Sequence, residues 1–287
     1  GDFKFNSNNL IRNYNTNTLE KTNINDLVFN SDSKISMLGF SNNYEFILKN
    51  TNSDAQNSTN FHETDNYYFS GLFQYNSSLP LVKENGDFQN IMKPKLSLKI
   101  NPSSNKDMKN ADKRIDVNSI YSMNRLSVND ALEGGVSLVY GNDFTIFDKT
   151  NSRDLFNLKL ANNLRFDEDD DLPSSNQIGQ KTSNFFGEIS YSPSEIFTTK
   201  YNTSFKNNLT DTSYQNLVTE ISLNNFVTTF DYLNENNLSS GNTYLANSTK
   251  YSFDNSNSLT FSTRENKKSN LTEYYNLMYQ YKNDCLS

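Results

Sequence analysis

Apolar and polar residues alternate along much of the chain, most clearly between Lys93 and Asp284. Within residues 95–100, for example, the even positions are apolar and the odd positions are Lys or Ser. A period of two indicates a β-sheet with one apolar face and one wet face. The pattern predicts roughly eleven or twelve strands, many near the ~9–11 residues with which a tilted strand crosses a bilayer.

The connections between these strands alternate in length, which is typical of a transmembrane β-barrel with short periplasmic turns and longer external loops. The predicted fold is therefore an all-β, antiparallel transmembrane β-barrel. Residues 1–34 are Asn-rich and weakly patterned, and we interpret them as a strand pair with a loop. The short connections are 83–87, 148–154, 192–195, 224–225 and 254–258, and the long ones are 101–132, 167–184, 207–215, 234–242 and 264–270.

Closure is the main constraint on such a sheet. In hydrocarbon every backbone N–H and C=O needs a partner, so an open edge is costly. The first and last strands of this segment therefore need further strands beside them. We expect residues 1–287 to form a single domain that is part of a larger barrel, without its closing strands.

The composition agrees with a barrel better than with a conventional core. Only 34% of the residues are hydrophobic and the mean hydropathy is -0.77, values that alone would suggest disorder. Yet the chain has 17 Tyr and 21 Phe, which an outward apolar band would use, and no Trp. The net charge of -7 argues against a nucleic-acid partner. No run of about 18 apolar residues is present, which excludes a helical span.

Three stretches resemble the family of LPS-assembly outer-membrane proteins, LptD. Residues 124–135 read Asn-Arg-Leu-Ser-Val-Asn-Asp-Ala-Leu-Glu-Gly-Gly, which is similar to the family pattern Asn-Arg-Phe-x-Gly-x-Asp-Arg-x-Glu-x-Gly. Residues 93–102, preceded by Pro80, resemble its Pro-x-Leu…Asn-Pro strand–turn–strand, and residues 279–285 its Tyr-x-x-x-Cys segment. The sequence departs from the family pattern at Leu126, Val128 and Ala131, and at the single Cys285, where many relatives carry a Cys pair.

The resemblance implies a function and a location. It implies a barrel in the outer membrane of a Gram-negative bacterium, whose lateral opening between first and last strands releases lipopolysaccharide into the outer leaflet. The implied partners are the outer-membrane lipid bilayer with its lipopolysaccharide, a plug lipoprotein in the lumen, and a periplasmic bridge protein that binds a missing N-terminal jellyroll domain. The resemblance also implies that Cys285 corresponds to a cysteine that forms a disulfide with that missing segment. Its predicted position on the periplasmic side is compatible with this role, because the periplasm is oxidising.

The family-motif loop supplies the candidate site residues. Asn124, Arg125, Asp130, Glu133 and Gly134 carry the resemblance in the longest connection. We expect the polar members to form a network that ties this loop over the lumen, with direct lipid contact as the alternative.

Two further groups of charged residues have a functional and a plain interpretation. Lys95, Lys99, Lys159 and Lys200 face the polar side of their strands and could line a route for an anionic lipid, although an ordinary wet lumen explains them equally well. The run Asp167–Asp171 could bind divalent cations, but we favour a solvated loop.

Enzymatic function has little support. His62 is the only His, so catalytic triads and His-based metal sites are not predicted. We expect no catalytic, cofactor or metal site, and no enzyme. Two alternatives to lipopolysaccharide transport remain, namely a porin-like or other outer-membrane channel and a secreted β-rich adhesin or surface protein. The adhesin predicts a water-soluble sheet with a closed apolar core.

Overall fold

The computed structural model describes residues 1–14, 17–58, 66–111, 113–236 and 241–282. Within these ranges the chain is antiparallel β-sheet, which confirms the all-β prediction, with a short 3-10 helix at Ser119–Tyr121. No helix of the described ranges is long and apolar enough to span a membrane. The sixteen described strands are β1 (Asp2–Tyr14), β2 (Thr18–Asn30), β3 (Lys34–Ile35), β4 (Ser41–Gln56), β5 (Asn66–Ser78), β6 (Leu81–Asn85), β7 (Phe88–Asn101), β8 (Gly135–Asp148), β9 (Arg153–Arg165), β10 (Phe185–Ser194), β11 (Phe197–Phe205), β12 (Thr212–Leu223), β13 (Phe226–Glu235), β14 (Thr243–Ser252), β15 (Asn257–Asn266) and β16 (Leu271–Tyr281).

The strands follow one another in the sheet in nearly the order of the sequence. The order runs β1-β2-β4-β5-β7-β8-β9-β10-β11-β12-β13-β14-β15-β16, while β3 pairs with β4 and β6 with β7. This meander needs only local connections, so each strand finds its partner next to it along the chain.

The structure has more strands than the alternation predicted. The difference lies mainly in the first 35 residues, where β1 and β2 form the expected strand pair over their whole lengths and β3 adds a short hairpin. Asn is unfavourable in strands, which hides the pattern here. Continuous pairing of β2 with β4 nevertheless satisfies the backbone of this segment.

By its internal packing the chain divides into two compact units, and the prediction of a single domain stays a prediction. The first unit comprises Gly1–Pro80, Pro94–Gly141 and Asn162–Ser183, and the second comprises Leu81–Lys93, Asn142–Ala161 and Asn184–Ser287.

In the first unit the two faces of the sheet have the reverse of the usual burial. Lys49 of β4 and Gln74 of β5 are only 2% and 1% exposed, whereas Tyr44 and Phe69 on the opposite face of these strands are 45% and 66% exposed. We call these the polar face and the apolar face. A water-soluble sheet buries its apolar face instead, so this distribution contradicts the adhesin alternative.

The second unit has the same division between its own faces. Glu188 of β10 is buried, while Ile189, Leu217, Phe230 and Leu277 are 40% to 66% exposed on the apolar face.

Polar side chains that do lie on this apolar face bond to one another. Thr199 and Thr219 are neighbours across β11 and β12, and their hydroxyl oxygens are 3.0 Å apart. The hydroxyls of Thr228 and Thr249, across β13 and β14, are 2.8 Å apart. Such pairs reduce the cost of placing hydroxyls in apolar surroundings.

Candidate functional site

The connection from β7 to β8, residues 102–134, carries many buried apolar side chains among its described residues. We call it the docked loop. Its 3-10 helix buries Ile120 completely. The buried apolar side chains of the docked loop are Met108, Ile115, Val117, Ile120, Leu126, Ala131 and Leu132. A loop that buries this many side chains has a defined conformation, unlike an ordinary solvated connection.

Polar side chains of the sheet hold the backbone of the docked loop. The Lys49 ammonium of β4 donates a 2.7 Å hydrogen bond to the Asn129 carbonyl and also pairs with Asp26 of β2 at 2.7 Å. Two residues along β4, the Thr51 hydroxyl donates a 3.0 Å bond to the Asp130 carbonyl. The polar face therefore supplies the donors that the loop carbonyls need away from water.

An apolar contact supports these bonds. Leu132 of the docked loop forms a buried cluster with Ile47 of β4 and Leu72 of β5, and Val28 and Met123 pack against it. Loss of a buried Leu side chain costs ~2–5 kcal/mol, so we expect Leu132 to stabilise the docked loop on that scale.

The charged centre of the docked loop is a buried ion pair. Arg125 Nε donates a 2.7 Å bond to Glu133 Oε2, and Arg125 Nη2 bonds to the other carboxylate oxygen. The same guanidinium donates to the Asn163 amide oxygen at 2.9 Å and to the Ser137 hydroxyl at 3.2 Å. Arg165, at the end of β9, donates a 3.0 Å bond to Glu133 Oε1. We call Arg125, Glu133 and Arg165 the charge node.

The charge node ties three separate segments together. It joins the beginning of the loop motif, its end, and β9, and all three charged side chains are at most 6% exposed. The second carboxylate near the node is that of Asp169, 3.8 Å from Arg165 Nη2. A buried pair is costly to desolvate and adds little net stability, but removing one partner leaves an uncompensated charge. The node therefore enforces one loop conformation.

The environment of Glu133 alters its acidity. Burial raises the pKa of this carboxyl, but the positive charges of Arg125, Lys99 and Arg165 oppose that effect and lower the pKa to about 2. Glu133 is therefore ionised throughout the physiological pH range.

Gly134 is required by close packing. Its N–H donates a 2.6 Å bond to the Asn105 amide oxygen, and its carbonyl accepts a bond from Arg165. A Cβ at Gly134 would collide with the Ser103 backbone oxygen. The next residue, Gly135, has a φ of +84°, which L side chains rarely adopt.

The other two motif residues bond elsewhere in the docked loop. The Asn124 amide donates a 2.9 Å bond to the Val128 carbonyl and closes a local turn, while Asp130 pairs with Lys106. The structure thus brings Arg125, Glu133 and Gly134 together around Arg165 and leaves Asn124 and Asp130 outside the node. The functional role of these residues stays a prediction.

Sequence reasoning did not select Arg165. Alternation along β9 places Asn163 and Arg165 on the same face of the strand, which was the available signal. Glu133 lies beside Arg165 only because the loop is docked.

The predicted lysines of the first unit bind protein groups. Lys99 is buried and donates to the Ser122 carbonyl. The Lys95 ammonium lies 4.6 Å from the centre of the Tyr121 ring, and the Tyr121 carbonyl accepts a 2.8 Å bond from Gln74. In this conformation these side chains hold the docked loop.

The predicted lysines of the second unit share one carboxylate. Lys159 of β9 and Lys200 of β11 lie 2.9 Å and 3.0 Å from Glu188 of β10. The three side chains form a cross-strand charge ladder on the polar face.

The acidic run also has protein partners. Asp169 accepts a bond from the Asn105 amide, and Asp171 pairs with Lys109 at 3.2 Å. Within the described ranges, no group of three or more His, Cys, Asp and Glu side chains is placed to hold a metal ion. These contacts agree with a loop that packs on its neighbours.

Two residues singled out from the sequence, Cys285 and His62, lie outside the described residues.

Comparison with known proteins identifies one family. The model of the family LptD, described as LPS transport system D, matches residues 48–264, more than half of the chain. No curated protein matches. A mutant of the Rh. blastica porin is similar in structure, with 8% identity, 92% of this chain and 90% of that chain covered, and a TM-score of 0.33. An engineered protein described for its asymmetric conductivity is also similar, with 8% identity and a TM-score of 0.33. The match covers 98% of this chain and 99% of that chain. These scores are too low to define a shared fold.

Replacement of Glu133 by Gln tests the charge node. We expect E133Q to weaken docking of the loop by ~3–5 kcal/mol, because two buried guanidinium groups lose their shared counter-ion. Hydrogen exchange of the amides in residues 102–134, measured in the full-length protein, reports the loss. The control is Glu84→Gln, which removes an exposed pair with Lys149 and should leave this exchange unchanged. Equal protection in E133Q and the unsubstituted protein would contradict the role of the node.

The pH dependence of docking follows from the lowered pKa of Glu133. A carboxyl whose pKa is lower in the folded state stabilises that state fully above its ordinary value of 4.5. This contribution decreases as the pH falls below 4.5 and is lost as the pH passes through about 2. We expect the protease resistance of the docked loop to fall as the pH decreases from 4.5 to about 2. In E133Q this pH-dependent fall should be absent. Release of the loop already at about pH 5–6, above the ordinary pKa of a Glu carboxyl, would contradict the assignment.

Proposed function

The chain belongs to the LPS transport system D family, and on this premise we propose that it forms part of an outer-membrane β-barrel that delivers lipopolysaccharide to the outer leaflet of a Gram-negative bacterium. The reversed burial of the two faces carries this proposal. Exposed apolar side chains such as Phe69 and Leu217 need an apolar solvent, and a bilayer supplies one.

The polar face supports transport of a lipid rather than an open pore. In the first unit the docked loop contacts Lys49, Gln74 and Lys99, which are at most 2% exposed. A wide water channel would leave such side chains in contact with water. The proposal is therefore a closed resting state in which the loop occupies the polar side of the sheet.

We further propose that the short connections face the periplasm and the long ones the exterior, as in other outer-membrane barrels. The short turns at Asn224–Asn225 and between Ser194 and Phe197, and the long docked loop, support this assignment. Lipopolysaccharide would leave through a lateral opening, with a plug lipoprotein and a periplasmic bridge protein as partners. The protein would bind and release the lipid without covalent chemistry.

Depletion of the full-length protein in its own cells tests the function. We expect the fraction of newly made lipopolysaccharide that a surface label can reach to fall strongly, with the remainder retained inside, because the delivery step is missing. Re-expression of the unsubstituted gene should restore surface labelling. Normal surface labelling in depleted cells would overturn the proposal, and an accompanying loss of ion conductance would favour the porin-like channel.

A further inference from the structure

The apolar face of the first unit is interrupted by a strip of amide side chains. We call it the amide strip; it consists of Asn9, Asn23, Asn25, Asn50 and Asn52. Pairing of β1, β2 and β4 places these residues side by side, since Asn9 lies opposite Asn23, Asn23 opposite Asn52, and Asn25 opposite Asn50. Two residues further along β2 and β4 this face is apolar again, since Leu27 lies opposite Leu48.

Hydrogen bonds fix the amide strip in place. The Asn52 amide donates to Asn50 at 2.8 Å and to Asn23 at 3.2 Å, and Asn23 in turn donates to Asn9. Each amide has two N–H donors and an oxygen with two lone pairs. Groups at the margin of the strip therefore retain bonding capacity for a ligand, and the network holds them in a fixed orientation.

A concave site adjoins the amide strip. It has a volume of about 300 Å³, and its lining combines the polar Asn23, Asn52, Lys21 and Asp54 with the apolar Leu10, Ile11 and Tyr67. The Tyr67 ring is 73% exposed, and Lys21 and Asp54 form a partly exposed ion pair at 3.1 Å. An aromatic ring beside amides and a charge pair matches a saccharide, whose C–H faces pack on rings and whose hydroxyls bond to amides and carboxylates. An acyl chain offers no hydroxyl or other polar group with which the remaining bonding capacity of these amides and of the ion pair could be used.

The position of the concave site indicates which part of a lipid it would meet. On the polar face of the same strands, next to Asn52 and Tyr67, Thr51 and Tyr68 contact the docked loop at Asp130 and Leu132. The site therefore lies at the loop end of β4 and β5. We propose that the amide strip and Tyr67 bind the saccharide part of lipopolysaccharide in the outer leaflet, an inference that rests on the proposed function and its sidedness.

A paired substitution tests this site in the purified full-length protein. The double variant Asn52→Ala with Tyr67→Ala removes the central amide and the ring, and Phe69→Ala is the matched control. Phe69 is the next apolar-face residue of β5 and is 66% exposed, so it tests lipid contact without the site. The probes are lipopolysaccharide with its full core saccharide, lipopolysaccharide truncated in its sugars, and phospholipid, each in nanodiscs.

We expect the double variant to bind the full-saccharide lipid about tenfold more weakly, while its binding of the other two lipids is unchanged. F69A should bind all three lipids as the unsubstituted protein does. Undiminished binding of the full-saccharide lipid by the double variant would overturn the site. Equal losses for all three lipids would show a general effect on the sheet and would also overturn it.

Two further measurements distinguish a loss of the saccharide site from a folding defect and from failure of the proposed function. Hydrogen exchange of the docked loop reports whether the double variant folds. If it does not fold, the single variant Tyr67→Leu is compared with F69A. We then expect Tyr67→Leu to bind the full-saccharide lipid about threefold more weakly. Binding that depends on the site, together with normal surface labelling in depleted cells, would reject the transport function and keep the saccharide site. Loss of surface labelling on depletion with undiminished binding in the variants would reject the site alone.

Discussion

The structure depends on one constraint, that a polar group facing an apolar environment must have a partner inside the protein. The backbone meets this constraint through continuous antiparallel pairing, and the hydroxyls of Thr228 and Thr249 meet it by bonding across their strands. The same constraint determines the burial of the two faces. In each unit, exposed rings and aliphatic side chains lie on the apolar face. Lys49 and Gln74 are covered on the polar face of the first unit, and Glu188 on that of the second.

The docked loop follows from the same requirement. A polar face that carries buried lysines and a buried Thr hydroxyl needs acceptors, and the loop supplies backbone carbonyls at Ser122, Asn129 and Asp130. The charge node then selects one loop conformation, because Glu133 satisfies Arg125 and Arg165 only when the loop is docked. Transport of an anionic lipid past this face would have to exchange some of these internal partners for groups of the lipid.

The sequence alone predicted what depends on local pattern. Alternation predicted the strands from residue 93 onward, and the family motif identified Arg125, Glu133 and Gly134. The sequence alone could not predict features that depend on how the strands pair. Arg165 is distant in sequence from the motif. Residues 1–34 are interpreted as a strand pair, but their Asn-rich sequence does not define the extent or the register of β1 and β2. The amide strip exists only because the register brings Asn residues of three strands together. Contacts of this kind are set by tertiary structure.

The central claim, that the exposed face of the sheet lies in lipid, can be tested by fluorescence, because this chain contains no Trp. Single Trp residues are placed along β13 from Phe226 to Leu233 in the full-length protein, with any other Trp replaced, in bilayers containing brominated lipid. The account predicts quenching that alternates with a period of two, strong for F230W and weak for T229W. Equal quenching at adjacent positions, or the opposite alternation, would contradict it.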